Sequence, residues 1–386
     1  MRFACAVSQQ ADYEPAAVEL VGGLHADLDG ARPSLLCLFA SPHHEDHWLS
    51  LAERMRREFP DALLFGCSAR SVIGAGREIE QGPGVVASAA SLPGVKLEPF
   101  HVANARLPVL AGPDDAHVLL LVDPFGADLD AWIPELDERF PEGTKLGGIA
   151  SGAGQPGRNL LFLDDAVVRR GAIGVALTGD VAVDAVVAQG CRPVGLPMFV
   201  TGARENVLFE LDGRSPMEVL GELFAAADPM EQRLFQGSLF LGIELDPAQR
   251  RFESGDFLIR NLLGADPESG ALHVAADLAG RRVVQFHLRD ARTADEDLER
   301  RLERHVARRE EGAAGALVFS CLGRGRGLFG QPDHDTRAFH EALGPIPLAG
   351  FFGNGEIGPV EGRTFLHGYT SAFGIFRPKR GAPDRP

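Results

Sequence analysis

Cysteine is scarce: five residues in 386, at Cys5, Cys37, Cys67, Cys191 and Cys321. The count is odd and no two stand in a CxxC pair, which argues against a disulfide framework or a structural zinc site and predicts free thiols in a reducing compartment. No apolar run approaches the ~20 residues that a membrane helix needs. The opening MRFACAVSQQ lacks the long apolar core of a secretory signal. The expected location is the cytoplasm, with no membrane partner. Basic residues are also short, with Lys and Arg at 38 against 54 Asp and Glu, for a formal net charge of −16. A nucleic-acid binder normally presents a basic face, so no nucleic-acid partner is expected, although a local basic pocket for an anion remains compatible. Tyrosine is rare, at two residues, so Tyr369 beside His367 stands out.

Glycine, in contrast, is abundant at 46 residues, much of it in short clusters. These imply turns that need positive φ or a close backbone approach. A chain of this length suggests two domains of roughly 190 residues each, and each half is long enough to bury its own core. Buried-strand patterns are expected at 3–8, 34–40 and 118–122, and further strands at 237–245, 256–262, 271–276 and 282–289. Amphipathic helices are expected at 15–29, from Ser41-Pro42 with Ser41 as N-cap, at 130–140, at 216–227, at 293–310 with Thr293 and Glu296 as a capping box, and at 335–343.

A layout recurs three times. The strand at 35–39, a helix and LLFGCSARSVIGAG form the first copy. VLLLV, the helix DAWIPELDERF and KLGGIASGAG form the second. LVFSCLGRG, the helix DTRAFHEAL and PLAGFFGNGEIG form the third. The intervals from Leu35 to Gly66, Val118 to Gly148 and Leu317 to Gly350 differ by only a few residues. Each copy then runs into a further β-rich stretch: VVASAAS, AIGVALTG and YTSAFGIF. A helical crossover is what a parallel strand pair requires, so the later stretches make the sheets mixed. The expected fold is α/β, in two lobes of mixed sheets flanked by helices, with layered α-β-β-α packing. The expected domains are 1–195 and 196–378, joined near 180–200, with a flexible tail at 379–386.

Several residues could carry chemistry. GCSAR places Ser68 as in a nucleophile elbow, but Arg70 replaces the last glycine and no helix follows. Gly325 to Gly330 matches G-x-G-x-x-G, but Gln331, Pro332 and Asp333 delay the helix and no acidic residue follows at the expected offset. The loop still offers Arg324 and Arg326 to an anion. His43, His44 and His47 share a helix start, where a metal or plain solvation would account for them. Cys321 precedes Arg324, whose guanidinium would favour thiolate, and Cys67 holds the matching place in the first copy; either could equally be an apolar filler. Asn354, Glu356, His367 and Tyr369 lie in and beyond the third glycine loop, where parallel strands end and open α/β folds place ligands. The expected ligand site therefore comprises Cys67, Ser68, Arg70, Cys321, Arg324, Arg326, Asn354, Glu356, His367 and Tyr369. No nucleophile has an identifiable base and orienter, so no catalytic residue and no metal ligand is assigned.

Motifs across nearly the whole chain carry a resemblance. LLCLFASPHH, GCSARSVIGAGREIE and SLPGV are similar to the N domain of the FIST family. FELDGRSPMEVL, GDFLIRNLLGADPESGAL, QFHLRDA, VFSCLGRG, PLAGFFGNGEIGP and LHGYT are similar to its C domain. The resemblance implies a sensory, signal-transducing module that binds a small ligand, an amino acid or related metabolite, without catalysis. Its output partner would be a separate protein. For other members it implies haem-based nitric-oxide sensing. Haem would need an axial side chain, for which His287, His340 and His367 are the candidates. An enzyme using Cys321 or the glycine-loop polar cluster, and an interaction scaffold without an enclosed pocket, are the remaining alternatives.

Overall fold

The computed structural model describes residues 1–103, 106–246, 248–252, 255–308 and 312–379. The part of the expected tail from 380 onward lies outside the described residues.

All three expected repeats are built as parallel pairs. Strand Leu35–Ala40 runs parallel to Leu63–Ser68, His117–Val122 to Lys145–Ile149, and Gly315–Cys321 to Leu348–Gly353. The crossover helices are Trp48–Glu58, Leu129–Arg139 and His334–Leu343. Every residue of LLCLFA is buried, as a strand covered on both faces demands. In each pair a glycine faces the first strand at close quarters. A Cβ on Gly66 would lie 2.0 Å from the Leu38 carbonyl oxygen, one on Gly147 1.9 Å from that of Leu120, and one on Gly350 1.7 Å from that of Val318. The recurring glycine is thus a requirement of the sheet itself, and in the second copy it is Gly147 rather than the expected Gly148, whose added Cβ would meet the Phe319 and Phe351 rings. The stretch that follows each copy returns antiparallel beside the first strand: Val85–Ser91, Ala172–Gly179 and Ser371–Arg377. The sheets are mixed for this reason.

The chain forms two compact units. The first comprises Met1–Ala188, Leu298–Leu366 and the chain from Thr370, and holds three six-stranded sheets. Their facing sides share one core that includes Phe39, Phe65, Leu119, Leu146, Phe319 and Phe351. Helices cover the outer sides. Helices Tyr13–Leu28 and Trp48–Glu58 pack on the first sheet, Leu129–Arg139 on the second, and the Leu298 end of Ala291–Arg308 with His334–Leu343 on the third. The third sheet combines distant parts of the chain, because strand Ser71–Gly74 pairs antiparallel with Leu348–Gly353 and with Arg77–Ile79. The second unit, Gln189–Asp297 with His367–Tyr369, is a closed six-stranded barrel. It carries helices Pro216–Ala226 and Pro229–Phe235. No helix among the described residues is long and apolar enough to cross a membrane.

Two expected caps differ. Ser41 does not cap with its side chain; its hydroxyl accepts the Gly84 N–H at 3.0 Å, and a 3-10 turn at Pro42–His47 precedes helix Trp48–Glu58. Helix Ala291–Arg308 starts earlier than expected, so the Asp290 carboxylate, rather than Thr293, accepts the first-turn amide of Thr293 at 2.8 Å.

Candidate functional site

The most developed polar site lies in the first unit, where strand Arg77–Ile79 meets the turn after Gly315–Cys321. That turn brings Arg324 inward: its backbone N–H donates to the Cys321 carbonyl at 2.9 Å, and its side chain is fully buried. The guanidinium forks onto Asp335, Nε to Oδ2 at 2.7 Å and Nη2 to Oδ1 at 2.8 Å. Ser320 Oγ donates to the same carboxylate at 3.1 Å, and His334 Nδ1 lies 3.0 Å from it. Burial alone would raise the Asp335 pKa, but the Arg324 charge and the His334 contact overcome it and hold the carboxyl well below its ordinary range. The Phe329 ring stacks on His334 at 3.4 Å and lies 5.2 Å from the Arg324 guanidinium carbon.

Glu78 enters this cluster from the strand. Its Oε1 accepts the Thr336 N–H at 2.9 Å and the Thr336 hydroxyl at 3.1 Å. Asp333 cannot cap helix His334–Leu343 locally, because its carboxylate accepts the Glu78 N–H at 2.6 Å. Glu78 therefore serves as that helix's cap from another element, satisfying a first-turn amide. Burial, and then the neighbouring Asp335 carboxylate, push the Glu78 carboxyl up to about 7. Glu80 accepts the Arg326 N–H at 2.7 Å. Gly325, at φ 71°, makes this possible, since a Cβ there would lie 2.6 Å from the Glu80 carboxyl carbon.

In front of these groups opens a cavity of about 370 Å³, lined by Gln9, Arg77, Glu78, Glu80, Arg326 and Pro332 among others. It offers two guanidinium groups and two carboxyl groups. Behind it, Glu78 Oε2, Arg324 Nη1 and Glu356 Oε1 are buried without a hydrogen-bond partner among the described residues. Burial raises the Glu356 carboxyl well above its ordinary range, against the Thr370 N–H, which donates to it at 3.2 Å, and the charge of Arg324.

The residues expected from sequence separate into groups. Arg326 lines the cavity, and Arg324 and Glu356 are buried polar groups apart from its lining. The glycine loops of the three copies do meet, but they close on one another. Arg70 N–H donates to Ser151 Oγ at 2.9 Å, Ser151 Oγ donates to the Phe352 carbonyl, and Asn354 Nδ2 donates to the Ala150 carbonyl at 2.8 Å. Ser68 Oγ accepts the Leu160 N–H at 3.0 Å and donates to Asn159 at 3.3 Å, so it ties loops together. Cys67 is fully buried in the shared core, where burial pushes its thiol well up. Cys321 is buried and its Sγ accepts the Gly323 N–H at 3.4 Å. His367 is buried within the second unit. Tyr369, also there, holds φ 64°, donates to Asn261 at 2.6 Å and lies under Arg289 at 4.4 Å. Arg77, Glu78, Glu80 and Asp335 were not singled out; the only sequence signal was REIE directly after the first glycine loop.

The histidines expected as possible ligands are spread over separate elements and lie apart from the cavity. His44 is buried while His43 and His47 are exposed, and His47 stacks on Tyr13. No group of metal-ligating residues converges among the described residues. His287, on a barrel strand, is buried with Nδ1 3.0 Å from the Gln285 carbonyl, its pKa pushed down to about 4 by burial. A Cβ on Gly242 would sit 2.5 Å from its ring, which leaves no room for a macrocycle on that side. His340 Nε2 is engaged by the Ile346 carbonyl at 3.1 Å. Neither the cavity above nor a second one of about 410 Å³ is lined by histidine.

A mixed α/β unit of repeated crossovers and a six-stranded barrel define the class: a two-unit α/β protein. Family models give the particular assignment. The FIST N domain matches residues 34–214 and the FIST C domain residues 216–359, so the chain belongs to the FIST family, whose domains are associated with sensory and signal-transduction roles. It is similar to "Uncharacterized protein MT0656" of Mycobacterium tuberculosis, 39% identical over 385 residues, covering 97% of this chain and 100% of that protein. It is also similar to "Uncharacterized protein Mb0898c" of Mycobacterium bovis, 39% identical over 97% of this chain and 99% of that protein.

Proposed function

We propose that this protein is a cytoplasmic sensor that binds a small polar metabolite carrying both charge signs, of which an amino acid is the simplest, and transforms nothing. The observation that supports this reading is the cavity in which Arg77 and Arg326 face Glu78 and Glu80, backed by the buried Arg324–Asp335 pair. An arginine pair suits a carboxylate, and the Glu80 carboxylate on the cavity wall suits an ammonium donor. Sensing rather than catalysis is favoured because the candidate nucleophiles are occupied or buried. Ser68 ties two loops, and His334, the histidine nearest the cluster, is committed to Asp335. The signal would pass to a separate protein, with neither nucleic acid nor membrane as partner.

The test is a thermal-shift screen of amino acids and related metabolites, followed by titration calorimetry on the hits. Arg326→Ala, on an exposed side chain, is expected to weaken binding at least tenfold, about 1.4 kcal/mol, with the melting temperature of the ligand-free protein unchanged. A ligand that binds Arg326→Ala and Arg77→Ala as tightly as the parent, or one that is chemically converted on incubation, would overturn the reading.

A further inference from the structure

The barrel carries a second cavity unrelated to the first. It measures about 410 Å³ and is lined by Met198, Phe199, Arg250, Arg251 and Phe252 together with Pro197 and Val283. All of these lie in the second unit. Their arrangement follows from an irregularity in the long strand Cys191–Arg204. Its pairing with Val283–Arg289 shifts register between Val194, opposite Phe286, and Met198, opposite Val284. Four steps on one strand are matched by two on the other, so Gly195, Leu196 and Pro197 bulge out of the ladder, with Gly195 at φ 72°. A bulge of this kind re-aims side chains and is a feature sheets keep for use. Here it leaves Leu196 80% and Phe199 59% exposed.

Phe199 alternates with Met198, which packs on the barrel core, so Phe199 faces outward and, with Leu196, leaves apolar surface in water. The charge of the site is equally distinctive. The lining contains two arginines and no carboxylate, on a chain whose formal net charge is −16. Arginine and phenylalanine around a concave centre are the residue types that anchor protein interfaces. The volume has room for one or two large apolar side chains, so it fits a short segment rather than a folded face. Arg250 and Arg251 are the charged side chains of the lining and suit an anionic segment, the nearby Asp212 and Glu244 carboxylates being engaged by the Phe199 and Val283 amides, while the acidic remainder of the molecule repels an extended polyanion such as nucleic acid.

We propose that this groove docks a short peptide segment of another protein in which acidic residues flank phenylalanine or leucine, the apolar side chain entering between Phe199 and Phe252 and the carboxylates meeting Arg250 and Arg251. The proposal is independent of the metabolite cavity, and either can fail without the other.

The experiment is fluorescence anisotropy on the full-length protein. The probe is a fluorescein-labelled peptide of about a dozen residues, alternating Asp or Glu with Phe and Leu. Comparison probes replace its acids with Lys, replace its apolar residues with Ser, or are an oligothymidylate of similar length. The acidic–apolar peptide is expected to bind in the micromolar range, and more weakly as salt is raised. Phe199→Ser, and separately Arg250→Ser with Arg251→Ser, should each weaken it at least tenfold without lowering the melting temperature. Arg250→Glu with Arg251→Glu should reverse the preference in favour of the lysine peptide, a gain that misfolding cannot imitate. Absence of binding at millimolar peptide, equal binding of the serine-substituted peptide, indifference to the variants, or tighter binding of the oligothymidylate would each overturn the proposal.

Discussion

Replacing Arg324 tests whether the buried charges behind the cavity act as a unit. The Arg324 and Asp335 side chains are 0% and 2% exposed and share two hydrogen bonds of 2.7 and 2.8 Å. Arg324→Ala strands an ionised carboxylate in the interior, and removing one partner of a buried pair costs about 3–5 kcal/mol. At roughly 2 °C per kcal/mol for a cooperative unit of this size, the melting temperature should fall by roughly 6–10 °C. Replacing both partners by leucine removes the charge along with its counter-charge. Arg324→Leu with Asp335→Leu should therefore be much less destabilised than the two single changes combined, with a coupling of about 2 kcal/mol. Differential scanning calorimetry on the parent, Arg324→Leu, Asp335→Leu and the double variant measures this cycle. The sign with pH is also fixed. The native Asp335 pKa is held below the unfolded value, so the pair contributes fully above the unfolded carboxyl range. It loses that contribution as pH falls below it, because the unfolded chain takes up the proton first. A melting temperature unchanged by Arg324→Ala, or strictly additive changes, would refute the picture of a single coupled cluster.

Three further outcomes are expected. Glu78 has the opposite sign: its native pKa of about 7 lies above the ordinary carboxyl value of about 4.5, so the native state holds the extra proton and stability should decline as pH rises from about 4.5 to 7, then level off. Glu78→Gln should flatten that slope in melting temperatures measured across pH 5–8. Gly350→Ala places a Cβ 1.7 Å from the Val318 carbonyl oxygen, and chemical denaturation should show a loss of at least about 3 kcal/mol or insoluble protein; Gly327→Ala, with nothing within 4 Å of its added Cβ, should leave stability within about 1 kcal/mol of the parent. Burial pushes the Cys5 and Cys37 thiols up to about 12 and the Cys67 thiol well up, so mass spectrometry after native iodoacetamide treatment at pH 8 should find all three unmodified and, after denaturation, all three labelled.

The repeated crossover was legible because it is local. Leu35–Ala40, its helix and Leu63–Ser68 lie within one short stretch, and the buried-strand and amphipathic patterns need no distant partner to be recognised. The glycines were legible as residues but not by cause. Gly66, Gly147 and Gly350 are each demanded by a carbonyl across the parallel pair, an approach no single-strand pattern discloses. The cavity was hidden for a stronger reason. Arg77, Glu78 and Glu80 are only a short polar stretch after the first glycine loop in the sequence. They become a site only because Ser71–Gly74 adds to Leu348–Gly353, with Gly74 opposite Ala349 and Ser71 opposite Phe352. That single pairing carries Glu78 to the start of helix His334–Leu343, whose local cap is turned away because the Asp333 carboxylate holds the Glu78 amide. The exchange is reciprocal: the strand's carboxylate serves the helix amide, and the carboxylate before the helix serves the strand amide. A charge at this place is therefore held by two elements far apart in sequence, and any ligand that engages Glu78 or Arg326 acts on the helix, the strand and the buried Arg324–Asp335 pair together. Coupling of that kind is the physical means by which occupancy of so small a cavity would alter the state of the first unit.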